Sequence, residues 1–449
     1  MGNPGRGFDP VRAAAVKALI MIEQGDQTDI AVEAVMRNGR FRPIDRRFLM
    51  QLVNGTTKMR RRLDHELKFY LSRPSAGLPI KLSNILRMGL YQIRFTDRIP
   101  AAAAVSESVN LAKHMTDKNR ARLVNAVLRT SIREPDKVRF STMEENPVKR
   151  LGDFYSYPDY FVDYCVREFG NKSAEELLDA YNSPPSVTYR VNYLRSKPDE
   201  VASMLSAAGI DFSYGKYLPE FIHVSGGGLP LEEELIKTGK VFVQDESSGM
   251  AVRLLNPRPN QNVLDLTSAP GGKTTYAAIR MRNRGRVTAI DKSRSRLNTL
   301  VENVQRLGIK IVAPVAADMF EFEGGPFDRV LLDPPCSGWG TAGKNSDLRW
   351  AKTENDTRNL AKIQARMIDK AATLVKPGGV MVYSTCTILR DENDQIVEEF
   401  LLRNKEYEIE SAKDLLPEEL VTERGFVRTY PGFGDLDGSF CARLKRKLH

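Results

Sequence analysis

The sequence predicts a multidomain protein: an all-α helical bundle, then a small α+β subdomain, then a doubly wound α/β domain. Three observations predict it. The chain has 449 residues, beyond the size at which a single core keeps growing. Apolar residues recur at helical spacing through residues 1–140, without strand-like alternation. From about residue 260, short apolar runs alternate with amphipathic ones, the pattern of a parallel sheet with helices on both faces.

The bundle occupies residues 1–140. Asp9 precedes Pro10 as an N-cap precedes a first-turn proline, and Val11, Ala14, Ala15, Ala18, Leu19 and Ile22 follow at helical spacing. The same period returns in Phe48, Leu49, Leu52 and Val53, in Leu82, Ile85, Leu86, Leu90 and Ile93, and in Leu123, Val124, Val127 and Leu128. The polar stretch 136–150, with Pro147, ends it.

Residues 141–245 read as a linker and small α+β subdomain. A helical stretch over 161–181 gives way to Ser183-Pro184-Pro185, and a strand-like run spans 187–193. A helix over 198–208 and β-rich segments near His223 and over 241–243 follow. Residues 246–449 form the α/β domain, with strands at 263–267, 286–291, 311–316, 329–333 and 380–384. Its helices fall near 274–282, 293–307, 354–375 and 392–403.

Charge divides the chain. Residues 1–150 hold 28 Lys and Arg against 15 Asp and Glu, whereas the remainder holds 39 against 42, so the net charge of +10 lies entirely in the first third. That asymmetry points to nucleic acid, because cations beside phosphates gain from counterion release; a solvated helical surface is the plainer explanation. The clusters Arg37, Arg40, Arg42, Arg46, Arg47 and Lys58, Arg60, Arg61, Arg62 favour RNA.

Other classes are excluded. No apolar run reaches the roughly eighteen residues of a membrane span, and the opening Met1-Gly2-Asn3-Pro4 lacks an apolar leader, so a cytoplasmic protein without membrane contact is expected. Four cysteines (Cys165, Cys336, Cys386, Cys441) show no zinc or disulfide spacing and read as free thiols. The four histidines, His65, His114, His223 and His449, are scattered without ligand spacing, and no metal is expected.

In doubly wound sheets, ligands sit at the carboxyl ends of the strands. After the first strand comes Thr267-Ser268-Ala269-Pro270-Gly271-Gly272-Lys273, where two glycines let the backbone approach a nucleotide cofactor. It is not a phosphate-binding Walker loop, since Thr267 stands where that loop needs glycine. Asp291 ends the second strand in position to accept ribose hydroxyls, as it would in a dehydrogenase, and Asp318 follows the third, in reach of an adenine. Either carboxylate serves equally as a helix cap.

The fourth strand ends in Asp333-Pro334-Pro335-Cys336 and the fifth in Ser384-Thr385-Cys386-Thr387, so two thiols terminate neighbouring strands. Cys165 and Cys441 read instead as inert, buried small hydrophobes. A disulfide between Cys336 and Cys386 conflicts with the expected reducing compartment.

Together, Ser-Ala-Pro-Gly-Gly-Lys (268–273), Asp-Pro-Pro-Cys-Ser-Gly (333–338) and Ser-Thr-Cys-Thr (384–387) resemble the motifs of the RNA cytosine-5 methyltransferases. Residues 86–93, 97–105 and 123–129 are similar to the NusB RNA-binding domain, and the combination resembles the RsmB (Sun/Fmu) family. That resemblance implies a NusB-like bundle, a Rossmann-like methyltransferase domain, S-adenosylmethionine as methyl donor and a cytidine of 16S ribosomal RNA as target. It further implies that Thr267 to Lys273 wrap the methionine end, Asp291 holds the ribose, Asp318 lies near the adenine, Asp333 faces the cytosine, Cys386 is the nucleophile and Cys336 assists product release. A monomer is expected.

The chemistry accounts for two thiols. Carbon 5 of cytosine becomes nucleophilic only after a thiolate adds to carbon 6, a carboxylic acid near nitrogen 3 steadies the charge, and a base must then remove the carbon 5 hydrogen. The target base must be unstacked, and Trp339 or Trp350 could stack on it or could simply be packing residues. Departures from the usual family pattern at Thr267-Ser268, Trp339, residues 345–350, Thr387 and Arg390 affect the shape of the base pocket and leave every reacting group in place. The alternatives are a transfer RNA methyltransferase using the same chemistry and an inactive NusB-type assembly factor.

Overall fold

A computed structural model describes residues 8–37, 39, 41–72, 77–184, 186–225, 230–432 and 434–448. The opening Met1 to Pro4, Arg40, Pro185 and His449 lie outside the described residues. The chain divides into two compact units, one running to Asn182 and including Lys344–Ala351, the other Ser183–Gly343 with Lys352–His449.

The first unit is helical: α1 (Pro10–Glu23), α2 (Thr28–Arg37), α3 (Pro43–Lys58), α4 (Arg60–Leu67), α5 (Ile80–Phe95), α6 (Ala101–Met115), α7 (Lys118–Arg133), α8 (Pro147–Tyr155) and α9 (Asp159–Asn182), the last broken at Gly170. The Asp9 side chain accepts the backbone N–H groups of Val11 and Arg12, as an N-cap should. The apolar stripes converge on one core, where Leu19, Leu52, Leu86, Val124 and Leu128 are buried.

Lys344–Ala351 packs into this unit through Arg349, which is fully buried. Its guanidinium lies 3.9 Å from the Tyr157 ring centroid and donates to the carbonyl oxygens of Lys58, Tyr155, Ser156 and Tyr181. Trp350 Nε1 donates to the Thr57 carbonyl at 2.7 Å.

The cations at residues 58–62 do not share one face. Lys58 is largely buried and donates to the Tyr181 carbonyl, and burial pushes its ammonium down to about 7. Arg61 is spent on Asp153 and Asp159, and Arg62 on Glu66 and the Phe154 ring. Successive helical residues point in different directions, so a run of cations need not share a face. Arg46 and Arg47 are exposed.

The second unit holds two sheets. A four-stranded antiparallel sheet orders β2 (Phe212–Tyr214), β3 (Phe221–Val224), β1 (Val187–Val191) and β4 (Val241–Val243), with α10 (Pro198–Ala207) and α11 (Pro230–Lys237). After α12 (Glu246–Leu255) comes an eight-stranded sheet. Its parallel part runs β9 (Val375–Thr385), β8 (Phe327–Leu332), β5 (Asn262–Asp265), β6 (Arg286–Asp291), β7 (Val312–Ala316). These strands match those expected from the sequence to within a few residues, apart from the earlier start of β9.

Helices α13 (Gly272–Arg280), α14 (Arg294–Leu307), α16 (Glu354–Thr373) and α17 (Asp394–Arg403) connect the strands, with α15 (Leu348–Ala351) counted in the first unit. Met250, Leu254 and Tyr276 belong to one core cluster, and Ile368, Val397 and Phe400 to another. The sheet is mixed rather than wholly parallel. β12 (Ser439–Arg446) runs antiparallel to β9 and carries β10 (Tyr407–Ile409) and β11 (Val427–Thr429). Among the described residues, no helix is long and apolar enough to cross a membrane.

Candidate active site

The chain leaves β5, builds β6 and β7 on one side, then returns to place β8 on the other side of β5. Strand order therefore reverses between β5 and β8, and a crevice opens at their carboxyl ends. Thr267 spans it: its Oγ1 donates to the Asp333 carbonyl at 2.8 Å and accepts the Asp333 N–H at 3.2 Å.

Both thiols lie on this rim. Cys336 follows β8 and Cys386 follows β9, and their Sγ atoms are 3.1 Å apart as free thiols. The Cys336 thiol is pushed well above its ordinary value, first by the hydrogen bond to Cys386, then by burial and by the charges of Cys386, Glu392 and Asp333. Cys165 and Cys441 are buried, and burial raises both thiols, the latter to about 12.

Asp333 accepts the Lys273 ammonium at 2.7 Å and the Ser384 hydroxyl at 3.4 Å. Burial alone would lower the Lys273 ammonium, but the charge and hydrogen bond of Asp333 override that and hold it raised. Lys273 therefore keeps its cation, turned toward Asp333.

The glycine loop is tightly built. Gly271 has φ +111°, a conformation that strains any residue with a side chain, and a Cβ there would also stand 2.6 Å from Leu300 Cδ1. Asp291 Oδ2 accepts the Ala269 N–H at 3.3 Å and its Oδ1 the Ser293 N–H at 2.9 Å, tying the end of β6 to the loop. Ser293 in turn caps α14. Asp318 accepts the Phe320 N–H at 3.0 Å and pairs with Lys292, which together lower its pKa. The structure thus gathers Thr267 to Lys273, Asp291, Asp333, Cys336 and Cys386 at the ends of β5, β6, β8 and β9, with Asp318 after β7.

Of the two tryptophans that the sequence left as either stacking or packing residues, Trp339 is a packing residue. Trp339 is fully buried, in the turn after Gly338, and offers no free face to a base. Trp350 lies in the helical unit beneath the Arg60 guanidinium.

Sequence reasoning missed three side chains. Asp265, at the end of β5, accepts the Thr274 hydroxyl at 2.6 Å and the Thr267 N–H at 3.3 Å, and burial raises it to about 6. Arg190, in β1, reaches the glycine loop. Glu392 is fully buried, and its Oε2 accepts the Ser337 N–H and the Gln364 amide, both at 2.8 Å, which fixes the turn carrying Cys336. Asp265 and Arg190 had a signal, a lone charge in an apolar run; Glu392 looked like an ordinary acid at a helix start.

Fold and crevice define a Rossmann-like methyltransferase dependent on S-adenosylmethionine. Residues 252–445 match the family described as 16S rRNA methyltransferase RsmB/F, residues 9–133 the NusB family, and residues 157–228 the ferredoxin-like domain of RsmF/B-like methyltransferases. The Bacillus subtilis (strain 168) protein named "Probable ribosomal RNA small subunit methyltransferase B" is 33% identical across 97% of this chain and 99% of its own length. Ribosomal RNA small subunit methyltransferase B of Yersinia enterocolitica is 29% identical across 97% and 99%. The crystal structure of PH0851 superposes with a TM-score of 0.81 at 26% identity, covering 98% of this chain and 99% of that one. A methyltransferase homolog protein from Pyrococcus horikoshii gives 0.59 at 28% identity, covering 68% and 99%. The chain belongs to the RsmB/F family of S-adenosylmethionine-dependent 16S ribosomal RNA methyltransferases.

The residues present fit that cofactor. The Ser268 hydroxyl is buried and has no hydrogen-bond partner among the described residues, which leaves a polar group in the loop for a ligand. The first turn of α13 adds backbone N–H groups beside it. Among the described residues, no group of three or more His, Cys, Asp and Glu could hold a metal ion.

Proposed function

We propose that this protein methylates carbon 5 of a cytosine in 16S ribosomal RNA through a covalent bond from Cys386 Sγ to carbon 6. One observation carries the reading: the two thiols stand 3.1 Å apart on adjacent strand ends, beside the Asp333–Lys273 pair. Residues 267–273 would hold the methionine end of S-adenosylmethionine, Asp291 its ribose and Asp318 its adenine. When bound, S-adenosylmethionine supplies an electrophilic methyl group.

The protein's own groups do the rest. The Cys386 thiolate gives its electron pair to carbon 6, and the ring electrons move toward carbon 5 and nitrogen 3. Asp333, bringing a proton to the nitrogen 3 edge, and the Lys273 cation beside it would together offset the negative charge that develops there. Once carbon 5 is methylated, its hydrogen leaves as a proton, the ring double bond reforms and the sulfur departs as thiolate.

Cys336 suits that last proton. Its pKa is raised first by its hydrogen bond to Cys386. Bonding to carbon 6 makes Cys386 a neutral thioether, which removes the leading cause, so Cys336 gives its thiol proton to solvent more readily and its thiolate takes the carbon 5 hydrogen. Retention of both thiols, Asp333 and the glycine loop argues against an inactive assembly factor.

Bisulfite sequencing of in vitro transcribed 16S ribosomal RNA tests the reading. Treatment with enzyme and S-adenosylmethionine should protect one cytosine, and Cys386→Ala should protect none. Methylation by Cys386→Ala, or a methyl group on another atom, overturns it.

A further inference from the structure

We propose that the helical unit carries a single-stranded RNA cleft of its own, taking phosphates on Lys68 and Lys149 and stacking a base on the Arg60–Trp350 pair. The proposal rests on the RNA-methyltransferase reading and names a second contact for the same substrate.

A cleft of about 880 Å³ opens along α4 and α8, with Trp350 in its wall, and every residue lining it belongs to the helical unit. That volume accommodates a nucleotide. Its charges are unequally committed. Asp64 is held bidentately by Arg87, at 2.6 and 2.9 Å. Asp153 is bonded to Arg61 at 2.7 Å and His65 at 3.1 Å, and Asp159 to Arg61 at 2.6 Å. Each of the three acids of the lining is thus bonded to a basic side chain, Asp153 and Asp159 sharing Arg61.

The remaining cations are not. Lys68 and Lys149 are exposed, and among the described residues their ammonium groups make no hydrogen bond or ion pair. The Arg60 guanidinium lies 4.6 Å from the Trp350 ring centroid and, among the described residues, forms no ion pair. Trp350 is held by its bond to the Thr57 carbonyl, so the cation–π pair is preorganised. Uncommitted cations beside a flat π surface suit a phosphate backbone with unpaired bases: phosphates gain from counterion release and bases from stacking.

The test uses the full chain carrying Lys68→Glu and Lys149→Glu together, with fluorescein-labelled oligouridylate as probe and anisotropy read across a salt series. Both side chains are exposed, so an unchanged thermal melt serves as the folding control. The expected result is at least a tenfold weaker Kd at low salt, with the slope of log Kd against log salt reduced by about 1 per lysine. On 16S ribosomal RNA the same variant should raise KM more than it lowers kcat. Wild-type affinity and salt slope in the double variant overturn the proposal. So does a variant that keeps oligouridylate and loses only polyglutamate, which would assign the cleft to an acidic protein. Wild-type protein that binds oligouridylate through these lysines yet methylates no cytosine supports the cleft and overturns the methylation reading.

Discussion

The guanidinium of Arg190 donates to the carbonyl oxygen of Gly272 at 2.6 Å, tying the small antiparallel sheet to the first residue of the helix that follows the glycine loop. It also donates to Thr275 Oγ1 at 2.9 Å and bonds Gln244, stacked between Phe242 and Tyr276. Burial lowers it to about 9, which leaves it cationic at neutral pH. If the loop holds the cofactor as proposed, Arg190 acts as a positioning residue through it.

Arg190→Leu is expected to cost about 2–4 kcal/mol of stability, since it breaks charge-assisted bonds and leaves buried acceptors unpaired. KM for S-adenosylmethionine should rise at least tenfold, with KM for RNA little changed. Arg190→Lys should rescue only partly, because an ammonium cannot reproduce the planar fork. Calorimetry with steady-state kinetics checks this; an unchanged KM for S-adenosylmethionine would remove the positioning role.

Asp265 predicts a pH dependence. Burial raises it from 3.8 to about 6, despite the hydrogen bonds from Thr274 and Thr267. Between about pH 4 and 6 the folded state keeps a proton that the unfolded chain has released, so stability falls as pH rises through that window, by on the order of 2 kcal/mol. Asp265→Asn should abolish this loss while retaining an acceptor for Thr274. Urea unfolding at both ends of the window should give a smaller difference for the variant than for the wild type.

Gly340 has no room for a side chain. A Cβ would stand 1.8 Å from the Gly438 carbonyl oxygen and 2.8 Å from that of Cys386, both backbone atoms. The Gly340 N–H also donates to the Cys386 carbonyl at 2.9 Å. Gly340→Ala should therefore displace the Cys386 turn, lowering kcat by about a hundredfold or more, as misplaced reacting groups do. Cofactor binding, read by calorimetry, should survive.

Glu392 holds the Cys336 turn through Ser337 and is itself pushed up by burial. Glu392→Gln preserves an acceptor and should remain active. Glu392→Ala leaves the Ser337 N–H and Gln364 without their acceptor, at a cost of about 1–3 kcal/mol. If Glu392 positions Cys336, the Ala variant should also slow release of RNA from the covalent adduct, a change that general destabilisation would not produce.

Much of the site was legible because strand ends in a doubly wound sheet mark the crevice. β6, expected over 286–291, is Arg286–Asp291, and the helix expected over 354–375 is Glu354–Thr373. Pairings across the chain were not legible. Lys273 meets Asp333 60 positions away, and Arg190 meets Gly272 82 positions away, so no local pattern records either contact. The direction of Lys58 and Arg61 was hidden for a related reason: charge is countable in a sequence, but where these two point depends on Tyr181, Asp153 and Asp159, far along the chain. β10 and β11 span three residues each, too short for alternation to show.

The covalent step is the central claim, and Cys336→Ala tests it most directly. Incubated with 16S ribosomal RNA and S-adenosylmethionine, this variant should accumulate a protein–RNA species that survives denaturing electrophoresis, with the linked peptide containing Cys386 and the methylated cytosine by mass spectrometry. Absence of that species, or its persistence when Cys386→Ala is added, would contradict the account.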